Sequence, residues 1–288
     1  MTALVGADVI AAASAEPALV RHTHGVWHSL GASVRGKSHA HRGEYRDDAL
    51  AIHHSADLVV LVVADGAGSS ESSRVGAAVT AQLAVSQTVA RYAQRTADEP
   101  RITALGTAIA YAVHDAALHL HALAAAADVL PQSLRTTVVI VAIAGDVMLM
   151  AQVGDGAVLM QRTDGSVVRV GVQRETGWAG EVNCFVPDAC AMTQVAELRQ
   201  VKASDVALIA LMTDGIDDPF HPLEQTGAQL VTQWRVGTSG GIGVANQPRT
   251  GPVLGDAEAL LRWLSFEQRG EVDDRTLLLA WRDVAVSP

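Results

Sequence analysis

The segment Leu58-Val59-Val60-Leu61-Val62-Val63-Ala64 is an unbroken apolar run, mostly β-branched, and it ends in Asp65-Gly66. A strand that is apolar at every position has no face to offer water, so it must lie inside a layered fold with cover on both sides. The chain can supply that cover: of its 288 residues 49% are hydrophobic and only 18% charged, which excludes a disordered chain and allows one large domain. The run itself is far below the roughly 20 residues a membrane span needs. The formal net charge of −10 repels nucleic acid and anionic membranes and suits cations. Met1 to Ala15 carries Asp8 and has no Lys or Arg ahead of Arg21, which argues against a secretory signal and makes a cytoplasmic soluble protein the expectation.

Around this strand the pattern alternates between helical and strand periods. After Ser-rich residues that can cap it, a helix is predicted from Ser73 to about Ala93 on Val75, Val79, Leu83 and Val89. A second is predicted from about Ile102 to Ala126 on Leu105, Ile109, Val113, Ala116, Leu120 and Leu123. Strands are predicted over Thr136 to Ala144, Val147 to Val153, Ala157 to Arg162 and Ser166 to Val172, read together as an antiparallel meander. Two more, Val206 to Met212 and Thr276 to Trp281, bracket weak helices at Pro222 to Trp234 and Asp256 to Leu264, with a Gly-rich stretch between Gly237 and Gly255 expected to be mobile. No linker divides the chain, so residues 1–288 are expected to form a single α+β domain. Cys184 and Cys190 fit neither a CxxC pair nor a zinc knuckle and are read as packing thiols.

The chemistry-bearing signal is a set of aspartates. Of Asp47, Asp65, Asp155, Asp214 and Asp273, four lie at a predicted strand end or start, and Asp65 and Asp214 are each followed by Gly. A carboxylate at the end of a buried strand is fixed in place, and a following Gly allows close approach of backbone or ligand. Several carboxylates gathered in one place cannot all stay ionised without a cation, and hard ions such as Mg²⁺ or Mn²⁺ take oxygen ligands. Taken singly, each Asp-Gly reads as a turn; their joint order is what carries the argument.

That order is Arg42-Gly43-Glu44-Tyr45-Arg46-Asp47, then Val63-Ala64-Asp65-Gly66-Ala67-Gly68, Thr136-Thr137, Val153-Gly154-Asp155, Met212-Thr213-Asp214-Gly215 and Asp273-Asp274-Arg275-Thr276. The string resembles the metal-dependent Ser/Thr protein phosphatases of the protein phosphatase 2C type. It is similar in particular to their compact bacterial branch, whose opening reads much like Ser33-Val34-Arg35-Gly36-Lys37-Ser38-His39. The likeness spans about residues 30–282, with a variable region at about 215–272. It implies a four-layer α-β-β-α sandwich with two central antiparallel sheets and two Mn²⁺ or Mg²⁺ ions at one end. By that resemblance Asp65 bridges the ions and Gly66 adds a carbonyl. Asp214 and Asp273 complete the coordination of the second ion, Asp47 holds metal-bound waters, and Asp155 with Asp214 can hold a third, weaker ion. Arg42 falls where the family binds phosphate. The implied catalytic set is Arg42, Asp65 and Asp214, acting on phosphoserine or phosphothreonine through a metal-activated water, with a phosphoprotein substrate and a cognate kinase as partners.

The departures are specific. Ala67 stands where many eukaryotic members have His, Arg46 where Glu or Gln precedes the Asp, Gly156-Ala157 where Ser-Arg follows, and Asp274 where Asn is usual. They motivate an alternative reading as a phosphatase-fold binding module without activity. A hydrolase of small phosphate esters is a third reading, open because Val172 to Lys202 and Pro219 to Glu271 match nothing legible. Among the 11 histidines, His114, His119 and His121 are read as solvated helix surface, whereas His39 belongs to the resembling segment. Gly66-Ala67-Gly68-Ser69-Ser70 lacks the Gly-Lys-Ser/Thr ending of a nucleotide loop. Trp178, Trp234 and Trp263 are read as packing residues of the variable region.

Overall fold

A computed structural model describes residues 7–10, 18–171, 184–195, 197–242 and 246–283. The chain opens with β1 (Ala7–Ile10), β2 (Ala18–His24), β3 (Trp27–Val34), the short α1 (Lys37–Arg42), β4 (Ala49–His54) and β5 (Val59–Ala64). Two long helices follow, α2 (Ser73–Tyr92) and α3 (Arg101–Ala126), and then β6 (Val138–Ala144), β7 (Val147–Val153), β8 (Ala157–Arg162) and β9 (Val167–Val170). The last part holds α4 (Ala191–Val195), β10 (Arg199–Lys202), β11 (Val206–Met212), α5 (Asp214–Asp217), α6 (Leu223–Val236), β12 (Gly241–Ile242), β13 (Asn246–Gln247), α7 (Ala257–Leu264) and β14 (Arg275–Arg282).

Two six-stranded antiparallel sheets form the centre, in the orders β1-β4-β5-β6-β7-β10 and β2-β3-β14-β11-β8-β9. The apolar run of β5 shows why they must stack. Val60, Val62 and Ala64 face a core shared with Ala77, Ala81 and Val85 of α2 and Leu105, Ile109 and Val113 of α3. Val59, Leu61 and Val63 face the opposite sheet and meet a core containing Val158, Ile209, Leu211 and Leu278. On the far side Leu208, Ala210 and Met212 of β11 pack under Leu230 and Trp234 of α6 and Leu260 and Trp263 of α7. Strand period two therefore assigns each sheet one face to helices and one to its partner, and the result is the expected α+β, four-layer arrangement. A register shift between Val206 and Leu208 lets Val206 point to the inter-sheet core while Leu208 points to the helices.

Three sequence expectations change here. The predicted meander is cut in two: β6 and β7 pair within the first sheet, while β8 pairs with β11 and β9 in the second. The Gly154-Asp155-Gly156 segment is thus a crossing between layers rather than a hairpin turn, made possible by the positive φ of 87° at Gly154. Cys184 and Cys190 are not packing thiols but a disulfide, closing a small loop whose Val186 pairs with Thr136 in both directions. The Gly237 to Gly255 stretch carries regular pairing, with Thr238 bonded to Thr250 around the β12-β13 ribbon. Trp234 and Trp263 are fully buried and pack against each other, Trp263 also against Phe220 and Phe266, as read; Trp178 lies outside the described residues. His114, His119 and His121 are exposed on α3, as expected.

Candidate metal centre

Register brings the aspartates to one end of the sandwich. Ala49 at the start of β4 pairs with Ala64 at the end of β5, so Asp47-Asp48 and Asp65-Gly66 are neighbours. In the other sheet Met212 at the end of β11 faces Leu277 near the start of β14 and Ala157 at the start of β8. That places Asp214, Asp273-Asp274 and Asp155 together at the corresponding edge. Gly66 and Gly215 sit where backbones touch. A side chain at Gly66 would lie 2.9 Å from the Asp47 carbonyl oxygen and from the Ser73 carbonyl carbon, and one at Gly215 would collide with the Asp274 carbonyl oxygen.

A hydrogen-bonded scaffold holds the carboxylates in place. The Asp65 carbonyl accepts from the Thr136 hydroxyl at 2.6 Å and the Thr137 N–H at 2.8 Å, which ties the end of β5 to the residues just before β6. Asp48, almost fully buried, accepts from Thr213 Oγ1 at 2.9 Å and Thr276 Oγ1 at 2.6 Å and so links the two sheets. Asp274 is a hub: Oδ1 accepts from the Gly36 N–H at 2.6 Å and lies 3.0 Å from His39 Nδ1, while Oδ2 accepts from the Asp47 N–H at 2.5 Å. Asp47 faces outward, accepting from Ser73 Oγ at 2.9 Å, with His39 Nε2 3.7 Å away.

The electrostatics are those of a site short of positive charge. Burial pushes Asp65 well above the usual carboxylate range, reinforced by Asp214, Asp48 and Asp273. Burial likewise raises Asp214 to about 7, with Asp155 and Asp273 adding to it, and a hydrogen bond joins its carboxyl to that of Asp65. Asp48 is also raised well above its ordinary value by burial and then by Asp274. Asp273 is raised by desolvation although its side chain reaches solvent at the rim. Burial raises Asp47 too, opposed by the Ser73 hydroxyl and His39. His39 is raised, chiefly by its hydrogen bond to Asp274. Such mutual elevation is what crowded carboxylates show when no cation neutralises them.

The residues fit a divalent-ion centre. Every donor is oxygen, the carboxylates converge on one end of the sandwich, and the buried Oδ1 of Asp214 has no hydrogen-bond partner. Among the described residues no three His, Cys or acidic side chains already stand in ligating geometry; Asp65 and Asp214 instead meet through a hydrogen bond.

Of the sequence candidates, the structure gathers Asp65, Gly66, Asp155, Asp214 and Asp273, with Asp47 on the outer side. Arg42 is exposed and engaged locally, Nε to Glu44 Oε2 at 2.5 Å and Nη1 to Ser38 Oγ. Arg46 is fully buried beneath the site, its Nε donating to the Asp48 carbonyl and its Nη1 to the Ser33 carbonyl, and burial lowers its pKa. Sequence reasoning missed Asp48 as the innermost carboxylate and Asp274 as the hub. The signal for Asp48 was present: successive residues of an extended chain point to opposite sides, so of two adjacent aspartates ahead of a strand one must turn inward.

The protein phosphatase 2C family model matches residues 35–243. The chain belongs to the protein phosphatase 2C family. Solved structures of similar fold include the serine-threonine phosphatase 2C of Toxoplasma gondii, at 13% identity and a TM-score of 0.63, covering 94% of this chain and 100% of that one. The serine/threonine phosphatase Stp1 of Staphylococcus aureus aligns at 13% identity and a TM-score of 0.58, over 94% of this chain and 96% of its own. RsbX, solved with magnesium, aligns at 13% identity and a TM-score of 0.50, over 92% and 100%. No curated protein matches the chain in sequence. No described helix is long and apolar enough to cross a membrane.

Proposed function

We propose that this chain is a Mn²⁺- or Mg²⁺-dependent phosphatase that hydrolyses phosphoserine and phosphothreonine in proteins. The observation that supports it most is the Asp65–Asp214 pair, two half-buried carboxyls that share a hydrogen bond beside Asp48 and Asp273, with one Asp214 oxygen left unpartnered. Asp65 would bridge two ions, the Gly66 carbonyl and Asp214 and Asp273 would complete their shells, and Asp155 stands next to Asp214 for a third. Bound there, the ions would lower the pKa of water so that hydroxide is available near neutral pH, and would stabilise charge on the phosphoryl oxygens.

The remaining work falls to the chain. Asp47, pinned by Ser73, is positioned to orient water at the rim, and Asp48 and Asp274 fix the backbone that presents the ligands. Arg42, on the exposed end of α1, is available to phosphate only by exchanging its bonds to Glu44 and Ser38. Hydrolysis needs no phosphoenzyme, so tying both cysteines into a disulfide removes nothing the reaction requires. A phosphoprotein and the kinase that phosphorylates it are the partners this activity implies. Location bears on the disulfide, which persists in an oxidising setting and would be held as two thiols in a reducing cytoplasm.

The test is hydrolysis of para-nitrophenyl phosphate and of a phosphothreonine peptide by purified protein with Mn²⁺, Mg²⁺ or EDTA, beside Asp65→Asn. Turnover that needs the metal and is lost in the variant supports the proposal. Folded protein that turns over neither substrate with either metal sinks it and returns the binding-module reading.

A further inference from the structure

The metal centre as described has many carboxylates and, in Arg42, an arginine already engaged elsewhere. A phosphate monoester brings about two negative charges to this end of the fold and needs a cationic fork that is not spoken for. Arg74, the second residue of α2, meets that need. Its predecessor Ser73 lies against Gly66, within 2.9 Å of where a Gly66 side chain would begin, and donates its hydroxyl to Asp47 Oδ2. The helix start that carries Arg74 is therefore fixed by one contact to the Asp65-Gly66 turn and one to Asp47.

The Arg74 guanidinium lies 5.6 Å from the centroid of the Tyr45 ring, and Tyr45, two residues before Asp47, is 50% exposed. A cation held over an aromatic ring is attracted by the ring's quadrupole, which takes up none of the guanidinium's N–H groups as hydrogen-bond donors. Among the described residues no hydrogen bond takes up those groups. Arg42, by contrast, is tied to Glu44 and Ser38 within its own turn.

We propose that Arg74, steadied by Tyr45, is the side chain that binds the phosphoryl oxygens of the substrate in this protein. This rests on the phosphatase reading above. In the bound state the guanidinium would donate two N–H bonds to two phosphoryl oxygens while it stays over the Tyr45 ring. Lysine would keep the charge and lose the fork; removing the Tyr45 ring would keep both and loosen their orientation.

The experiment measures two affinities by calorimetry on the full chain, inorganic phosphate binding to Mn²⁺-loaded protein and Mn²⁺ binding to metal-free protein, together with steady-state hydrolysis of para-nitrophenyl phosphate. Arg74→Ala is expected to weaken phosphate binding about tenfold or more, raise KM in parallel and leave Mn²⁺ affinity in place. Arg74→Lys should recover part of the loss, and Tyr45→Phe should resemble wild type while Tyr45→Ala does not. Phosphate affinity in Arg74→Ala within about twofold of wild type overturns the proposal, whether or not Arg42→Ala shows the loss instead. A fall in Mn²⁺ affinity equal to the fall in phosphate affinity also overturns it, because Arg74 would then act only on Asp47. Wild-type protein that neither turns over nor binds phosphate removes the phosphatase reading, and this proposal with it. Wild-type turnover beside unaltered phosphate binding in Arg74→Ala removes the proposal alone.

Discussion

The dipeptide Asp-Gly occurs four times, at Asp65-Gly66, Asp155-Gly156, Asp164-Gly165 and Asp214-Gly215, and Asp164-Gly165 behaves oppositely to the pair at Asp65 and Asp214. Asp164 closes the β8-β9 hairpin in full solvent; its Oδ1 accepts from the Ser166 N–H at 2.9 Å and the Ser166 hydroxyl at 2.6 Å, and those bonds lower its pKa. Asp65 and Asp214 end strands buried on both faces, and burial together with neighbouring carboxylates raises theirs. Gly165 is present for its positive φ of 87°, whereas Gly66 and Gly215 are present because another backbone lies where a side chain would go. One dipeptide therefore serves as a turn or as part of a charged centre according to which end of which strand it closes.

The sharpest way to break this contrast is activity. Asp65→Asn and Asp214→Asn should each lower metal-dependent turnover by about a hundredfold or more, beyond what loss of an outer-shell partner costs. Asp164→Asn should stay within about twofold; steady-state assays on para-nitrophenyl phosphate decide it.

Next in size is the response to pH without metal. Asp65 and Asp214 have folded pKa values above their unfolded ones, so the folded chain holds more protons than the unfolded chain between about pH 4 and, for Asp214, about 7. Stability from these groups is complete below the lower limit and is lost as pH rises through the upper one. Thermal melts in EDTA should therefore fall from pH 5 to pH 8. Mn²⁺ should reverse the loss, and Asp214→Asn should flatten it; an EDTA-independent profile would contradict the assignment.

Smaller effects separate the glycines. Gly215→Ala should cost about 3 kcal/mol, because the new methyl meets the Asp274 carbonyl and α5 must shift. Gly165→Ala should cost about 1 kcal/mol from backbone strain alone. Urea denaturation of both variants measures the difference. Reduction of Cys184–Cys190 should cost about 2 kcal/mol, the entropy of a short closed loop. Its effect should reach the Asp65 end through Val186 and Thr136 and leave the Asp164 hairpin alone. Amide exchange with and without dithiothreitol would show whether protection falls at Thr136 and not at Gly165.

The legible part of this molecule was its apolar periodicity. The unbroken apolar runs before Asp65 and along β11 and β14 dictate strands buried on both faces, and the 3.6-residue spacing of α2 and α3 dictates helices with one face to bury. The order of aspartates around them identified the family and most of the candidate site. The strands β1 to β4 were not legible, since Ala18–His24 and Ala49–His54 mix histidine and threonine with short apolar stretches and become strands only by pairing with β3 and β5. Asp48 and Asp274 were not legible as parts of the site because a sequence does not say which of two adjacent carboxylates turns inward.

What the sequence determined alone is local: which segments must hide from water, and which carboxylates stand at their ends. Tertiary structure decided what depends on residues far apart in the chain. It sent β6–β7 and β8–β9 to different sheets, joined Cys184 to Cys190, buried Arg46 beneath the site and set Arg74 beside it. The physical reason is that hydrophobic burial is fixed by a residue's own side chain and its near neighbours. Charge, hydrogen bonding and access to substrate depend on which distant backbone comes to lie next to it.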